Sequence, residues 1–262
     1  MRRVVITLLA LAGLVVAVDF GAAAVVEYEM SEQLRSELEL AAGPSVRING
    51  FPFLTQAVAG TYSEIDMQAS GLAVGPLTDV GVEATLYEVT APLAEVTSGL
   101  LGSAQAAAVQ GRVRIRDTDL GRAIGIEDLR LQPASDQEVE EALGSAAVSG
   151  SDDDRRAAVR MVATTDVTGE RVEVVVIGLL ELADGVIRVT PTDVRFATDA
   201  GGEESLPALV RALLLAVLTT EIDPGGLPFT VTPTAVSVET GSLLVVGTAQ
   251  DVSLGQAGVD IG

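Results

Sequence analysis

Thr61-Tyr62-Ser63-Glu64-Ile65-Asp66-Met67-Gln68-Ala69 puts Ile65, Met67 and Ala69 on one side of an extended chain and Glu64, Asp66 and Gln68 on the other. Period-two alternation of this kind marks a strand with one buried and one solvated face, as antiparallel sheets require. The pattern recurs on both sides of this stretch. Ser45–Ile48 is a short β-type segment upstream. Downstream, Val80, Val82, Ala84 and Leu86 share a face within Val80–Val89, and Val109, Val113 and Ile115 oppose Arg112, Arg114 and Arg116 within Val109–Asp117. Val172–Leu182 is strongly apolar, Asp184-Gly185 supplies a tight turn, and Val186–Thr190 follows, with Asp193–Thr198 as an extension. That is the strongest hairpin signal in the chain.

Two helical stretches accompany the strands. Ala23, Val26, Met30, Leu34, Leu38 and Ala41 recur at spacings of three and four, which predicts a helix over Val25–Ala42, stopped by Gly43-Pro44. A second helix is expected over Leu206–Leu218. Glu203 and Glu204 suit its positive end, Ser205 its cap and Pro207 its first turn. Leu206, Leu209, Val210, Leu213, Leu214, Leu215, Val217 and Leu218 make it apolar nearly all round, so protein or lipid should enclose it. Between the halves, Pro133–Ser151 is polar and small, with a short helix in part of it, and Gly150–Asp154 reads as an exposed loop. A boundary is placed near 133–152.

Each helix is followed by similar text: Asn49-Gly50-Phe51-Pro52-Phe53-Leu54-Thr55 and Gly225-Gly226-Leu227-Pro228-Phe229-Thr230-Val231. Proline is excluded from central strands, so each motif is expected to open a strand or mark an edge, and Phe51, Phe53 and Phe229 to anchor helix to sheet. The expected architecture is α+β: a strongly curved antiparallel sheet wrapped around long apolar helices. Any part of the interior that the helices leave unfilled would be a groove lined by Val, Leu and Ala.

The N-terminus sets the compartment. Arg2 and Arg3 precede an uncharged apolar run, Val4–Val18, which Asp19 interrupts and Phe20–Val26 continues. Residues 1–24 therefore read either as a signal peptide cleaved after Ala22-Ala23-Ala24 or as a retained membrane anchor. A carboxylate within a span costs a few kcal/mol, which weighs against the anchor. The bland alternative is a buried helix of a cytosolic protein. Export to the periplasm or cell envelope is the expectation, with residues 25–262 as the working domain.

Composition narrows the chemistry. The net charge is −21, which disfavours nucleic acid as a partner. Only 3% of residues are aromatic against 48% hydrophobic, so the core is aliphatic. There is no His and no Cys, which removes Ser-His-Asp and Cys-His catalysis and the usual zinc ligand sets. No cofactor and no metal are expected. Asp152, Asp153 and Asp154 lack the spacing of a calcium loop. Neighbouring acids such as Glu140 and Glu141 are explained by the abundance of carboxylates, so no enzyme is expected.

Asn49-Gly50-Phe51-Pro52-Phe53-Leu54-Thr55-Gln56, then Gly60-Thr61-Tyr62-Ser63-Glu64-Ile65-Asp66, and a C-terminal stretch from Leu227-Pro228-Phe229 to Leu244-Val245-Val246-Gly247-Thr248-Ala249, resemble the LmeA-like phospholipid-binding proteins of the actinobacterial cell envelope. The Gly-Phe-Pro-Phe-Leu-Thr string is the most specific part, and the similarity covers nearly the whole chain. The resemblance implies a periplasmic protein that binds phospholipids, phosphoinositide-type lipids among them, takes part in lipoglycan maturation, and has a fold similar to tubular lipid-binding proteins. It brings no catalytic motif.

Candidate lipid contacts are Phe51, Phe53, Leu54, Leu206, Leu209, Val210, Leu213, Leu214, Val217 and Phe229; the bland reading of the second helix is an ordinary core helix. Arg112, Arg114 and Arg116 are candidates for an anionic headgroup, because guanidinium binds phosphate in bidentate fashion. Their bland reading is a solvated strand face paired with carboxylates on neighbouring strands. Three functions stand against one another: a phospholipid-binding or lipid-transfer module at a membrane surface, a membrane-anchored adaptor with an unidentified protein partner, and a carboxylate hydrolase. The first is the one expected.

Overall fold

The computed structural model describes residues 2–254 except 38–39, 41, 99–101, 127, 144–152, 168–169, 184–185, 198–202, 206–208, 210–214, 216–219 and 223–230. The elements run α1 (Arg2–Glu37), β1 (Ser45–Asn49), α2 (Phe53–Ala59), β2 (Thr61–Val74), β3 (Leu77–Thr90), α3 (Leu93–Ser98), β4 (Gln105–Arg116), α4 (Asp117–Ile124), β5 (Arg130–Pro133) and α5 (Asp136–Leu143). They continue with β6 (Arg156–Val167), β7 (Glu170–Ala183), β8 (Val186–Ala197), β9 (Glu203–Ser205), β10 (Thr220–Ile222), β11 (Thr232–Glu239) and β12 (Ser242–Ser253).

The chain is α+β with antiparallel sheets, as expected, but its strands divide into two sheets. One has six strands in the order β1-β2-β3-β4-β12-β11; the other runs β10-β8-β7-β6-β5, with β9 added beside β8. The sheets do not separate at residues 133–152, since β5 and β6 are paired neighbours. The C-terminal hairpin instead returns to the first sheet, where β12 lies along β4 from Ser242↔Arg116 to Ser253↔Gln105.

Two apolar clusters hold this together. Ala23, Val26 and Met30 of α1 pack with Phe53, Tyr62, Leu86 and Val109 over the first sheet. Leu77, Val113, Ile115, Leu243 and Val245 of the first sheet pack with Val159, Leu180 and Leu182 of the second. The expected helix face of Ala23, Val26, Met30 and Leu34 is thus the packed one, while Leu38 and Ala41 lie outside the described residues. The β7–β8 hairpin closes at Ala183↔Val186, the register that the Asp184-Gly185 text predicts.

Two local expectations are corrected, at the start of α2 and at Asp117. Gly50-Phe51-Pro52-Phe53 leads into α2, not a strand: Pro52 is its N-cap residue, and Gly60 ends it at φ 66, a left-handed C-cap. Glu203–Ser205 forms β9 against β8, from Ala197↔Glu203 to Arg195↔Ser205; the helix start expected after Ser205 falls on residues 206–208, outside the described residues. Asp117 opens α4 rather than closing β4, with Asp117 and Asp119 in the first turn.

The short helix expected within Pro133–Ser151 is α5. The Ser135 backbone N–H donates to Glu138 Oε2 at 2.8 Å and Glu138 N–H donates to Ser135 Oγ at 3.4 Å, a reciprocal capping box.

Gly121 in α4 sits where a Cβ would lie 2.2 Å from the Ile126 carbonyl oxygen, a backbone atom. Gly121→Ala is therefore expected to lower the unfolding free energy by about 2 kcal/mol, as overpacking does. Urea unfolding would measure it.

Candidate functional site

Two surfaces carry the residues singled out from sequence. The first is the junction of α1 and α2. Helix α1 is continuous through Ala24, and among the described residues it alone is long and apolar enough to cross a membrane. Its apolar residues from Val4 to Val18 are exposed. From Asp19 onward one side packs on the domain at spacings of four, three and four: Asp19, Ala23, Val26 and Met30 are all buried.

Asp19 is 3% exposed, and its carboxylate accepts the backbone N–H groups of Phe53 and Leu54, each at 2.8 Å. It thereby satisfies the free donors at the start of α2, a task usually done by a local cap residue. Glu27, two turns on, accepts the Ile48 N–H at 2.7 Å, so α1 also covers an open group on the edge strand β1.

Phe53, expected as a lipid contact, is in the core and packs on Tyr62 with ring centroids 6.5 Å apart. The Tyr62 phenol is buried, which raises its pKa, and its hydroxyl has no hydrogen-bond partner among the described residues. Phe51 instead points out: it is 59% exposed and stacks on Phe20 at 6.0 Å. Leu54 is partly exposed beside it.

The second surface is the outer face of the first sheet. Arg112, Arg114 and Arg116 follow one another along β4, opposite the buried Val109, Val113 and Ile115. They border a shallow pocket of about 180 Å³ with Gln68, Ser70 and Glu83. Each is paired: Arg112 with Glu83 at 3.3 Å, Arg114 with Glu239 at 2.7 Å and Arg116 with Asp79 at 2.5 Å. Both members of every pair remain substantially exposed, so each pair contributes at most ~1 kcal/mol and can exchange partners at little cost.

Asp119 braces the end of this row. It is buried, and it accepts the Thr78 N–H at 2.8 Å, the Thr78 hydroxyl at 2.9 Å and the Asp79 N–H at 3.2 Å, with Arg122 at 2.7 Å. Burial works against its ionisation, but these hydrogen bonds and the Arg122 charge outweigh it, leaving the carboxyl below its ordinary range.

A second concavity, of about 760 Å³, lies on the same sheet and is bordered by Thr61, Ser63, Glu88, Thr90, Gln105 and Asp251. Its rim is polar, unlike the Val, Leu and Ala lining expected for a groove. Glu88 at φ 49 and Asp251 at φ 52 place left-handed backbone there. Of the second helix, Leu206, Val210, Leu213, Leu214 and Val217 lie outside the described residues, as does Phe229. Leu209 is helical and 85% exposed. The described residues contain no group of three acidic or other metal-ligating side chains.

Sequence reading missed Asp19 and Asp119 as organising residues. Asp19 was legible only as a break in an apolar run. For Asp119, the acidic first turn of α4 was the available signal.

No curated protein and no solved structure matches the chain. A family model does, from residue 17, two residues before Asp19, to residue 248 in the strand beside the arginine row. By that match the chain belongs to the LmeA-like phospholipid-binding family.

Proposed function

We propose that the protein is exported and binds phospholipid at the outer surface of the membrane, in the service of envelope lipid or lipoglycan maturation, without catalysing a reaction. The observation that carries this reading is the family match over residues 17–248. The arrangement of the N-terminus supports export: Arg2 and Arg3 precede the apolar run, and basic flanks stay on the cytoplasmic side. The domain then lies outside.

Arg112, Arg114 and Arg116 are the proposed headgroup contacts. Three guanidinium groups in a row suit an anionic headgroup, a phosphoinositide-type lipid among them. Their carboxylate partners Glu83, Glu239 and Asp79 are exposed enough to yield to phosphate. The acyl contacts are proposed on Leu206, Leu209, Val210, Leu213, Leu214, Val217 and Phe229, whose apolar character suits hydrocarbon at ~0.8 kcal/mol per buried CH₂.

Arg114→Ala is expected to weaken retention of an anionic phospholipid roughly tenfold, the loss of one charge-assisted contact, while unfolding free energy changes by less than ~1 kcal/mol. Competition between phosphatidylinositol and phosphatidylcholine for the detergent-solubilised chain reads this out. An unchanged preference would remove the arginine row from the site.

A further inference from the structure

We propose that α1 is retained as a membrane anchor, and that α2, clasped to it through Asp19, is an apolar foot seated in the outer boundary of the bilayer that α1 crosses. This rests on the reading of α1 as a membrane-crossing helix; it does not depend on whether the domain also holds a phospholipid.

The depth follows from lengths. Val4–Val18 is the unbroken exposed apolar stretch of α1, and at about 1.5 Å per residue it rises ~22 Å, short of the ~30 Å hydrocarbon layer. The layer must therefore also take in the next turn, which carries Asp19 and Phe20. A bare carboxylate there would be costly. Asp19 is not bare: it is buried and binds two backbone N–H groups of α2 at 2.8 Å. The same two bonds fix α2 at that level of α1, so whatever α2 exposes is exposed to lipid.

What α2 exposes is mostly apolar, and the hydroxyl of its exposed Thr55 donates to the Pro52 carbonyl at 2.8 Å. The helix Phe53-Leu54-Thr55-Gln56-Ala57-Val58-Ala59 carries no charge. Val58 is 90% exposed, Leu54 is partly exposed, and Phe51 just before the helix stacks on Phe20, itself 63% exposed. In water these four side chains would form an unpartnered apolar patch; Phe and Leu side chains suit the boundary between headgroups and acyl chains.

Retention follows from the packing. Cleavage after Ala24 would remove Asp19 from α2 and Ala23 from the core. The family match, which begins at residue 17, includes both.

The chain has no tryptophan, so an introduced one is a unique reporter. The test uses full-length Val58→Trp and, as a reference on α4, Ile124→Trp, each in phosphatidylcholine–phosphatidylglycerol vesicles with brominated acyl chains. Both positions are exposed, so both variants should fold. Val58→Trp should show blue-shifted emission and lose most of it to bromine, while Ile124→Trp should lose little. Equal quenching at the two positions, or none at Val58→Trp, overturns the foot. The intact mass of the membrane-extracted protein should be that of the 26.9 kDa chain; loss of residues 1–24 overturns retention. Quenching without any phospholipid adduct would uphold the foot and count against lipid binding by the domain; an adduct without quenching would do the reverse.

Discussion

Asp19→Ala should destabilise the junction of α1 and α2 by about 3 kcal/mol, because it removes the cap and leaves two donors unsatisfied. The Phe53 and Leu54 N–H groups now meet the carboxylate at 2.8 Å, in a place where Asp19 is almost wholly buried. Neither water nor a local side chain substitutes easily: Pro52, the N-cap residue, makes no side-chain cap bond. The effect should be local. Hydrogen exchange at the Phe53 and Leu54 amides should accelerate by ~100-fold, the equivalent of about 3 kcal/mol, while β7 and β8 amides keep their protection. Asp19→Asn, which keeps one acceptor, should fall between. Unchanged exchange in the Ala variant would show that the two bonds do not hold the helix.

Asp119→Ala should have a comparable effect at the opposite end of the first sheet, about 3 kcal/mol of global stability. It leaves the Thr78 and Asp79 N–H groups without their acceptor in a site where the carboxylate is 1% exposed. The Arg122 partner is largely exposed, so its stranded charge adds little. The pH dependence has a definite sign. The carboxyl is held below its ordinary value, so the folded state binds this proton less readily than the unfolded chain. Its stabilisation is then complete above the ordinary Asp pKa of about 3.9 and disappears as pH falls through the lower folded value. Asp119→Asn should accordingly flatten the acid limb of the stability curve below about pH 4. Glu138, which is buried but bound by Ser135 and Arg160, is lowered in the same way and should leave part of that limb in place.

The sequence showed its strands through alternation, because each buries one face against a core. The arginine row and its Val109-Val113-Ile115 reverse side were readable for the same reason, as was the face of α1. What it concealed depends on partners far along the chain. Asp19 looks like a liability within an apolar run, and it becomes a cap only because residues 53 and 54, 34 and 35 positions on, fold back against it. Without that contact, Phe53–Ala59 has no local start signal and reads as the beginning of a strand.

Glu203–Ser205 has no alternation of its own, and only its pairing with β8 makes it β9. The division into two sheets was likewise hidden, since it turns on β12 pairing with β4 across more than a hundred residues. Asp119 could have been found: two acids in three residues followed by Gly125, at φ 78, are ordinary helix start and stop signals.

The central claim, that the chain binds phospholipid, is tested most directly by native mass spectrometry of the full-length protein released from mild detergent. A stoichiometric adduct at phospholipid mass, enriched in anionic headgroups on fragmentation, is the predicted result. Protein that leaves the detergent without lipid, and takes none up when phosphatidylinositol and phosphatidylethanolamine are supplied, would contradict it.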